Sequence, residues 1–85
     1  MTQKTHYTVI GAGHGGKAMA AHLALMGFPT TLYNRTADHI HAIGELGGID
    51  LDSAEVGLRG FCRLACVTST MAEALDKAEM IMVVV

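Results

Sequence analysis

Hydrophobic and polar positions divide the chain into short blocks that predict strands and helices in alternation. Apolar and β-branched runs over 7–10 and 30–33, each bounded by turn residues, predict the first two strands. Between them apolar residues recur at helical spacing, which predicts a helix from Gly15 that is capped by Gly27 and prevented from continuing by Pro29. The residues expected on its apolar face are Ala18, Met19, Leu23 and Met26, with Ala20 and Ala21 packed closely on the sheet.

The middle of the chain predicts a second helix followed by two further strands. The helix is expected over 37–46, with Thr36 as its N-cap. Strands over 49–51 and 61–67 flank a polar segment over 52–60, and they form either a small hairpin or a pair joined by a long loop. The residues expected on one face of the helix are Ile40, Ile43 and Leu46, and those expected to end it are Gly47 and Gly48.

The last part of the chain predicts a short helix and a buried strand. Thr70 and Glu73 have the spacing of a capping box, so a helix is expected to start there and run through Lys77. Six apolar residues over 80–85 lack alternation, which is typical of a strand buried on both faces, and this strand is expected to pair beside the first. Because a central strand needs further strands beyond it, the pattern indicates the front part of a larger protein, truncated after its fourth major strand.

A glycine-rich turn joins the first strand to the first helix. Each glycine loses more backbone freedom on folding than other residues, roughly 0.5–1 kcal/mol relative to Ala, so four in six positions indicate a need for bare backbone. In a G-x-G-x-x-G arrangement Gly11 makes the turn, Gly13 admits a pyrophosphate and Gly16 lets the helix approach the strand. The alternative is a turn that binds nothing. The residues predicted to bind a dinucleotide are Gly11, Ala12, Gly13, His14, Gly15 and Gly16.

These elements together predict an α/β chain with a Rossmann-type doubly wound parallel sheet, of which residues 1–85 are the N-terminal part. The end of its second strand indicates the cofactor. Proteins that bind NAD or FAD place an Asp or Glu there to accept hydrogen bonds from the ribose. Here Asn34, Arg35 and Thr36 offer an amide, a guanidinium and a hydroxyl, which suit an adenosine 2′-phosphate. The pattern favours NADP(H) over NAD(H), the alternative being an exposed arginine beside a helix cap.

Composition excludes several other classes of function. A formal net charge of −2 provides no basic footprint for nucleic acid. The apolar stretches fall short of the roughly 20 residues that cross a bilayer, and no signal-peptide pattern opens the chain, so a cytoplasmic protein is expected. A hydrophobic fraction of 51% with only 5% aromatic residues predicts an interior lined by Ala, Val and Leu.

Neither the cysteines nor the histidines form a recognisable chemical motif. Cys62 and Cys66 fall in one predicted strand, where their Cα atoms would lie about 13 Å apart, too far for a disulfide. They are therefore expected to be buried free thiols. His22, His39 and His41 lack helical metal-ligand spacing, so no metal site is predicted.

From Thr8 to Gly27 the sequence resembles the opening of the opine dehydrogenases, the octopine and nopaline dehydrogenase group. Members share the doubled glycine after the turn and the alanine-rich helix. The resemblance implies a two-domain enzyme that reductively condenses an amino acid with a 2-oxo acid, using NAD(P)H. The nucleotide-binding residues carry over onto Gly11, Gly13, Gly15 and Gly16. The substrate-binding and catalytic residues of that family lie in a second domain, so no catalytic residue is assigned here, and the chain alone is expected to be inactive.

One departure from the family leaves the substrate open. Relatives that use NAD tend to have an acidic residue at the position of Asn34. The segment Asn34-Arg35-Thr36 is instead similar to the NADP-binding segment of 6-phosphogluconate dehydrogenases, and ketopantoate reductases are similar in style. An NADP-dependent hydroxy-acid dehydrogenase or reductase therefore remains an alternative. So do a non-catalytic nucleotide-sensing module and a fragment whose open sheet is covered by a second copy.

Overall fold

The computed structural model describes residues 5–11, 13–53 and 58–84. A four-stranded parallel sheet forms its centre, with helices on both faces. A separate antiparallel pair of strands lies in the chain between the second α-helix and the third strand of the main sheet. The strands are β1 (Tyr7–Ile10), β2 (Thr30–Tyr33), β3 (Gly48–Ser53), β4 (Leu58–Arg63), β5 (Cys66–Thr68) and β6 (Met80–Val83). The α-helices are α1 (His14–Leu25), α2 (His41–Leu46) and α3 (Met71–Leu75).

The sheet order confirms the Rossmann-type class. β1 lies between β2 and β6, parallel to both, and β2 also pairs with β5. The chain therefore builds outward from β1 through β2 to β5 and then crosses to the other side of β1. The predicted first two strands coincide with the observed ones. None of the described helices has the length and apolar character that spanning a bilayer demands.

Helix α1 packs on one face of the sheet through small side chains. Ala20 and Ala21 are fully buried, as predicted. The expected apolar face was wrong at its edges, because Ala18 and Met26 are exposed. The buried face of α1 is narrower than predicted, with Ala20, Ala21 and Leu23 in the core and Met26 outside it. Gly27 ends the helix with φ +94°, and the bonds from its N–H to the Ala24 carbonyl (3.0 Å) and from the next N–H to the Leu23 carbonyl (3.1 Å) form a Schellman motif.

The predicted helix over 37–46 divides into a 3-10 helix, Ala37–His39, and α2. Ile40 separates them with φ −118°, and its side chain is buried at 5% exposure. Ile43 also packs against the core, but Leu46 is 67% exposed, contrary to the prediction. Because α2 has only six residues, it presents too little length to bury all three apolar positions. Gly47 ends it in the left-handed conformation, as predicted.

β3 and β4 form an antiparallel hairpin that packs against α1. Of the two arrangements that the sequence left open, the hairpin is therefore the observed one. The predicted strand over 61–67 was wrong, since it divides between β4 and β5. The division occurs where the Leu64 N–H donates to the Gly47 carbonyl (3.0 Å) and the Ala65 N–H donates to the Thr30 carbonyl (2.8 Å). Cys62 and Cys66 consequently lie in different sheets. Both are free thiols, but Cys66 is only half buried, and the distance argument along one strand does not apply.

α3 is shorter than predicted and lacks the reciprocal capping box. Thr70 is its N-cap without a side-chain capping bond. Thr68 takes over instead, because its hydroxyl donates to Glu73 Oε1 (3.1 Å) and accepts from the Thr70 N–H (3.0 Å). The hydroxyl of Thr8 in β1 donates to the Ala74 carbonyl (2.7 Å), which fixes α3 on the face opposite α1.

The last strand corrects two expectations about the interior. β6 pairs with β1 as predicted, but Met80, Ile81 and Val83 are 50–66% exposed. Within the described chain β6 is an edge strand, and the exposure of these side chains shows that the prediction of burial on both faces was wrong. The interior is also less aliphatic than expected. Its α1 side contains Val9 and Leu32, whereas its α3 side is lined by buried threonines, Thr8 and Thr31.

Candidate nucleotide-binding site

The carboxyl ends of the four parallel strands meet at one edge of the sheet. The Gly11 N–H donates to the Tyr33 carbonyl (2.9 Å), so the end of β1 is tied to the end of β2. The Asn34 N–H donates to the Thr68 carbonyl (3.2 Å), and the Val84 N–H donates to the Ile10 carbonyl (2.9 Å). These bonds bring the loops after β1, β2, β5 and β6 together. The order in which the chain adds strands to the sheet reverses at β1, and open α/β sheets bind ligands outside the carboxyl ends of the strands at such a point.

Two of the loop glycines are required by the fold itself. Gly11 has φ +112°, a region that L side chains rarely adopt, and a Cβ there would collide with the Val84 carbonyl oxygen. A Cβ at Gly16 would collide with the Gly11 carbonyl oxygen. Gly11 therefore makes the turn and Gly16 allows α1 to lie against the end of β1.

Gly13 differs from both. It is the N-cap of α1, with φ −73° and ψ −173°, a conformation open to any residue. A Cβ at this position would meet no described atom within 4 Å other than those of its two chain neighbours. The fold therefore does not require a glycine at this position. What the missing side chain leaves is open space directly in front of the helix.

The first turn of α1 presents donors to that space. The Lys17 N–H makes the first bond within the helix, to the Gly13 carbonyl at 3.0 Å. The N–H groups of Gly15 and Gly16 precede it and have no acceptor within the helix. No acidic residue lies in the first turn, and the helix dipole places partial positive charge there. This arrangement fits an anionic group such as a pyrophosphate. Ala12, which was predicted to contribute, lies outside the described residues, and His14 is placed here only as the first residue of α1.

The end of β2 presents neutral and positive groups. Asn34 is half buried, and its Nδ2 donates to the Thr36 carbonyl at 3.0 Å. A carboxylate in its place could not donate this bond. Arg35 and Thr36 are exposed, and Arg35 forms no salt bridge with any residue that the structure describes. The guanidinium is thus open to solvent at the same edge as the glycine loop.

Two residues of this edge were not anticipated from the sequence. Thr68 and Val84 end the two strands that flank β1 and β2, and both contribute backbone bonds to the convergence. The parallel pairing predicted for the last strand would have been enough to locate Val84, since residues that end paired parallel strands share an edge. Thr68 could not be located, because its strand was merged with the hairpin.

The other titratable groups lie elsewhere. A cavity of about 430 Å³ is lined by His6, Thr31, Cys66 and Glu73, on the α3 side near the amino ends of the strands. Partial burial, and secondarily the Glu73 carboxylate, raise the pKa of the Cys66 thiol. His41 pairs with Glu45 on the surface of α2 at 3.0 Å. Across the described ranges, no three His, Cys, Asp or Glu residues are grouped so as to hold a metal ion.

The fold and this edge define the class, a Rossmann-type domain with a glycine loop at the N-terminus of its first helix. The chain belongs to the NAD binding domain family of 6-phosphogluconate dehydrogenase, whose model matches residues 6–85. An opine dehydrogenase of Arthrobacter sp. (strain 1C) is 34% identical over 85 residues, which are 100% of this chain and 23% of that protein. The predicted resemblance to opine dehydrogenases is thereby confirmed.

Two solved structures share the fold. An imine reductase from Pseudomonas sp. is 21% identical, with a TM-score of 0.63 over 95% of this chain and 22% of its own. A diketoreductase is 22% identical, with a TM-score of 0.68 over 100% of this chain and 33% of its own. The chain thus spans about a quarter of the length of the curated relative that it matches. The family supports a nicotinamide dinucleotide as the cofactor.

Proposed function

We propose that this chain binds NADP(H) and is the nucleotide-binding part of a longer oxidoreductase. The observation that carries the proposal is the open space at Gly13, the N-cap of α1, beside first-turn N–H groups that have no acceptor within the helix. A pyrophosphate placed there accepts hydrogen bonds from the first turn and meets no side chain of Gly13. The residues proposed to hold it are Gly11, Ala12, Gly13, His14, Gly15 and Gly16.

The end of β2 supports NADP(H) over NAD(H). Asn34 carries no negative charge that would repel a 2′-phosphate, and its amide is already held by Thr36. Arg35 is exposed beside it and is proposed to pair with the phosphate, with the Thr36 hydroxyl as a further donor. Hydrogen bonds to a charged group contribute about 1.5–3 kcal/mol each. A single arginine is therefore sufficient for tenfold discrimination or more, about 1.4 kcal/mol.

The reaction proposed for the longer enzyme is the reductive condensation of an amino acid with a 2-oxo acid. The 34% identity to an opine dehydrogenase supports this choice. When bound, NADPH supplies a hydride to the carbon of the imine formed from the amine and the oxo acid. This chain's share is to bind and orient the nucleotide, and residues 1–85 are proposed to be part of one dinucleotide-binding domain. The substrate and catalytic residues are assigned to the remainder of the enzyme.

A hydroxy-acid dehydrogenase or reductase is the second candidate. It is favoured by the family match over residues 6–85, whose description concerns 6-phosphogluconate dehydrogenase. Both candidates share the nucleotide site and differ in the acceptor. In the longer enzyme, an opine-forming reaction oxidises NADPH only when amine and oxo acid are both present. A hydroxy-acid enzyme oxidises it with the oxo acid alone.

The binding proposal is tested by titrating NADPH and NADH into the purified chain and its Arg35→Ala variant. We expect NADPH to bind at least about tenfold more tightly, and we expect Arg35→Ala to abolish the difference. Lys77→Ala is the matched control, because it removes the same charge from an exposed residue beyond α3, at the opposite edge of the sheet. Equal binding of both nucleotides by the native chain would refute the NADP(H) preference. Binding of neither by a folded chain would refute the nucleotide site.

A further inference from the structure

Val84 touches the glycine loop at three points. Its N–H donates to the Ile10 carbonyl at the end of β1 (2.9 Å). Its own carbonyl occupies the position that a Cβ of Gly11 would take. Its Cγ1 methyl would lie 3.2 Å from a Cβ of Gly15 in the first turn of α1. One residue after β6 therefore contacts both ends of the loop, and its half-buried side chain also packs against the core.

A methyl group added at Gly15 would be packed more tightly against Val84 than is ordinary. Carbon atoms at optimal separation lie about 3.5–4.0 Å apart, so a 3.2 Å approach forces one of the two atoms to move. Val84 has little freedom to move, because branching at Cβ restricts its χ1 angle. The remaining way to relieve the contact is to shift the first turn of α1. Gly44 in α2 provides the comparison, since a Cβ there would lie at 3.9 Å from Cγ1 of Val67.

We propose that Val84 is a positioning residue of the nucleotide site: its packing against Gly15 and Gly11 sets the distance between the first turn of α1 and the end of β1. This inference rests on the proposed dinucleotide function. It explains Gly15, the first glycine of the pair at 15 and 16, as a requirement of Val84. The N–H groups that face the pyrophosphate are thus held from the neighbouring strand as well as from the helix.

The test measures how Gly15→Ala changes NADPH affinity and stability, first with valine and then with alanine at position 84. Gly15→Ala is expected to weaken NADPH binding at least about tenfold, because the first turn must shift. In the Val84→Ala background the same substitution is expected to restore affinity to within about threefold of Val84→Ala alone. Alanine is also a better helix former than glycine. Gly15→Ala should therefore raise the denaturation midpoint in the Val84→Ala background, whereas it should lower the midpoint in the native background. Val84→Thr keeps the branched shape and should leave Gly15→Ala impaired.

Two controls separate the possible failures. Gly44→Ala adds the same methyl to another helix, and it should raise the denaturation midpoint equally with valine or alanine at position 84. If the native chain binds NADPH but the double variant binds no better than Gly15→Ala, the methyl obstructs the nucleotide directly and the role of Val84 is overturned. If the native chain binds neither nucleotide, the proposed function fails and takes the positioning role with it.

Discussion

Replacing Gly13 by alanine tests whether the glycine at this position serves ligand binding or is required by the fold. The substitution adds one methyl group where φ is −73° and where, apart from the two chain neighbours, no described atom lies within 4 Å of the added Cβ. Alanine reduces the freedom of the unfolded chain, which stabilises the fold by about 0.4–1 kcal/mol. Alanine is also a poorer N-cap than glycine, which offsets a similar amount. We therefore expect the free energy of unfolding to change by less than about 1 kcal/mol.

Binding is expected to respond very differently. The methyl group enters the space proposed for the pyrophosphate, so the Gly13→Ala variant should bind NADPH at least about tenfold more weakly, a loss of about 1.4 kcal/mol or more. Gly16→Ala is the contrasting variant. Its Cβ would collide with the Gly11 carbonyl oxygen, so stability and binding should fall together. Gly47→Ala is the matched control away from the site. At φ +77° in open space it should lower stability by roughly 1–2 kcal/mol while leaving affinity unchanged.

The measurement combines urea denaturation with titration of NADPH on the same protein samples. The decisive result is a Gly13→Ala variant with native stability and weakened binding. If that variant binds NADPH as tightly as the native chain, no pyrophosphate passes over Gly13 and the proposed site is wrong. If it unfolds, a Cβ at Gly13 does not lie in open space, which contradicts the structural basis of the proposed pyrophosphate position.

Three further residues yield predictions. Leu32→Ala removes a fully buried side chain from the α1 side of the core and should lower the free energy of unfolding by about 2–5 kcal/mol, measured by urea denaturation. The raised pKa of the Cys66 thiol should make its alkylation by iodoacetamide slow at neutral pH. Glu73→Gln removes a charge that raises this pKa, so it should shift the pH profile of the alkylation rate to lower pH. Alkylation is measured by mass spectrometry, with buried Cys62 as the reference. Because the fold favours the protonated thiol of Cys66, that contribution to stability holds below the ordinary thiol pKa and is lost as pH rises through the raised one.

Local signals predicted the first half of the fold well. Strands β1 and β2 could be located because polar or turn residues bound them on both sides. The end of α1 could be located because Gly27 favours a helix C-terminus and Pro29 cannot continue the helix. The glycine turn was recognisable because its spacing reflects steric requirements that act within six residues. In each case the physical cause lies close in sequence to the residues that report it.

The features that were missed depend on residues far apart in the chain. The split of 61–67 is produced by backbone bonds to Gly47 and Thr30, which no local pattern contains. The capping box failed because Thr68 competes for Glu73. The exposure of the β6 side chains depends on which other elements cover them. The apolar sequence of β6 indicates only that this strand is suited to burial. Periodicity and capping rules describe a segment, and these outcomes are decided by its neighbours.

The four loop glycines show what the structure adds for function. The sequence motif predicted a turn at Gly11, close approach of a pyrophosphate at Gly13 and close approach of the helix at Gly16, and it gave Gly15 no separate role. In the structure Gly11 and Gly16 are excluded from carrying a side chain by backbone oxygens, and Gly15 is crowded by a methyl of Val84. Gly11 and Gly16 would be needed even in a turn that bound nothing, and a side chain at Gly15 would require Val84 or the helix to shift. Gly13 has no such neighbour, so the case for a bound dinucleotide in this loop is strongest where the protein itself makes no demand for glycine.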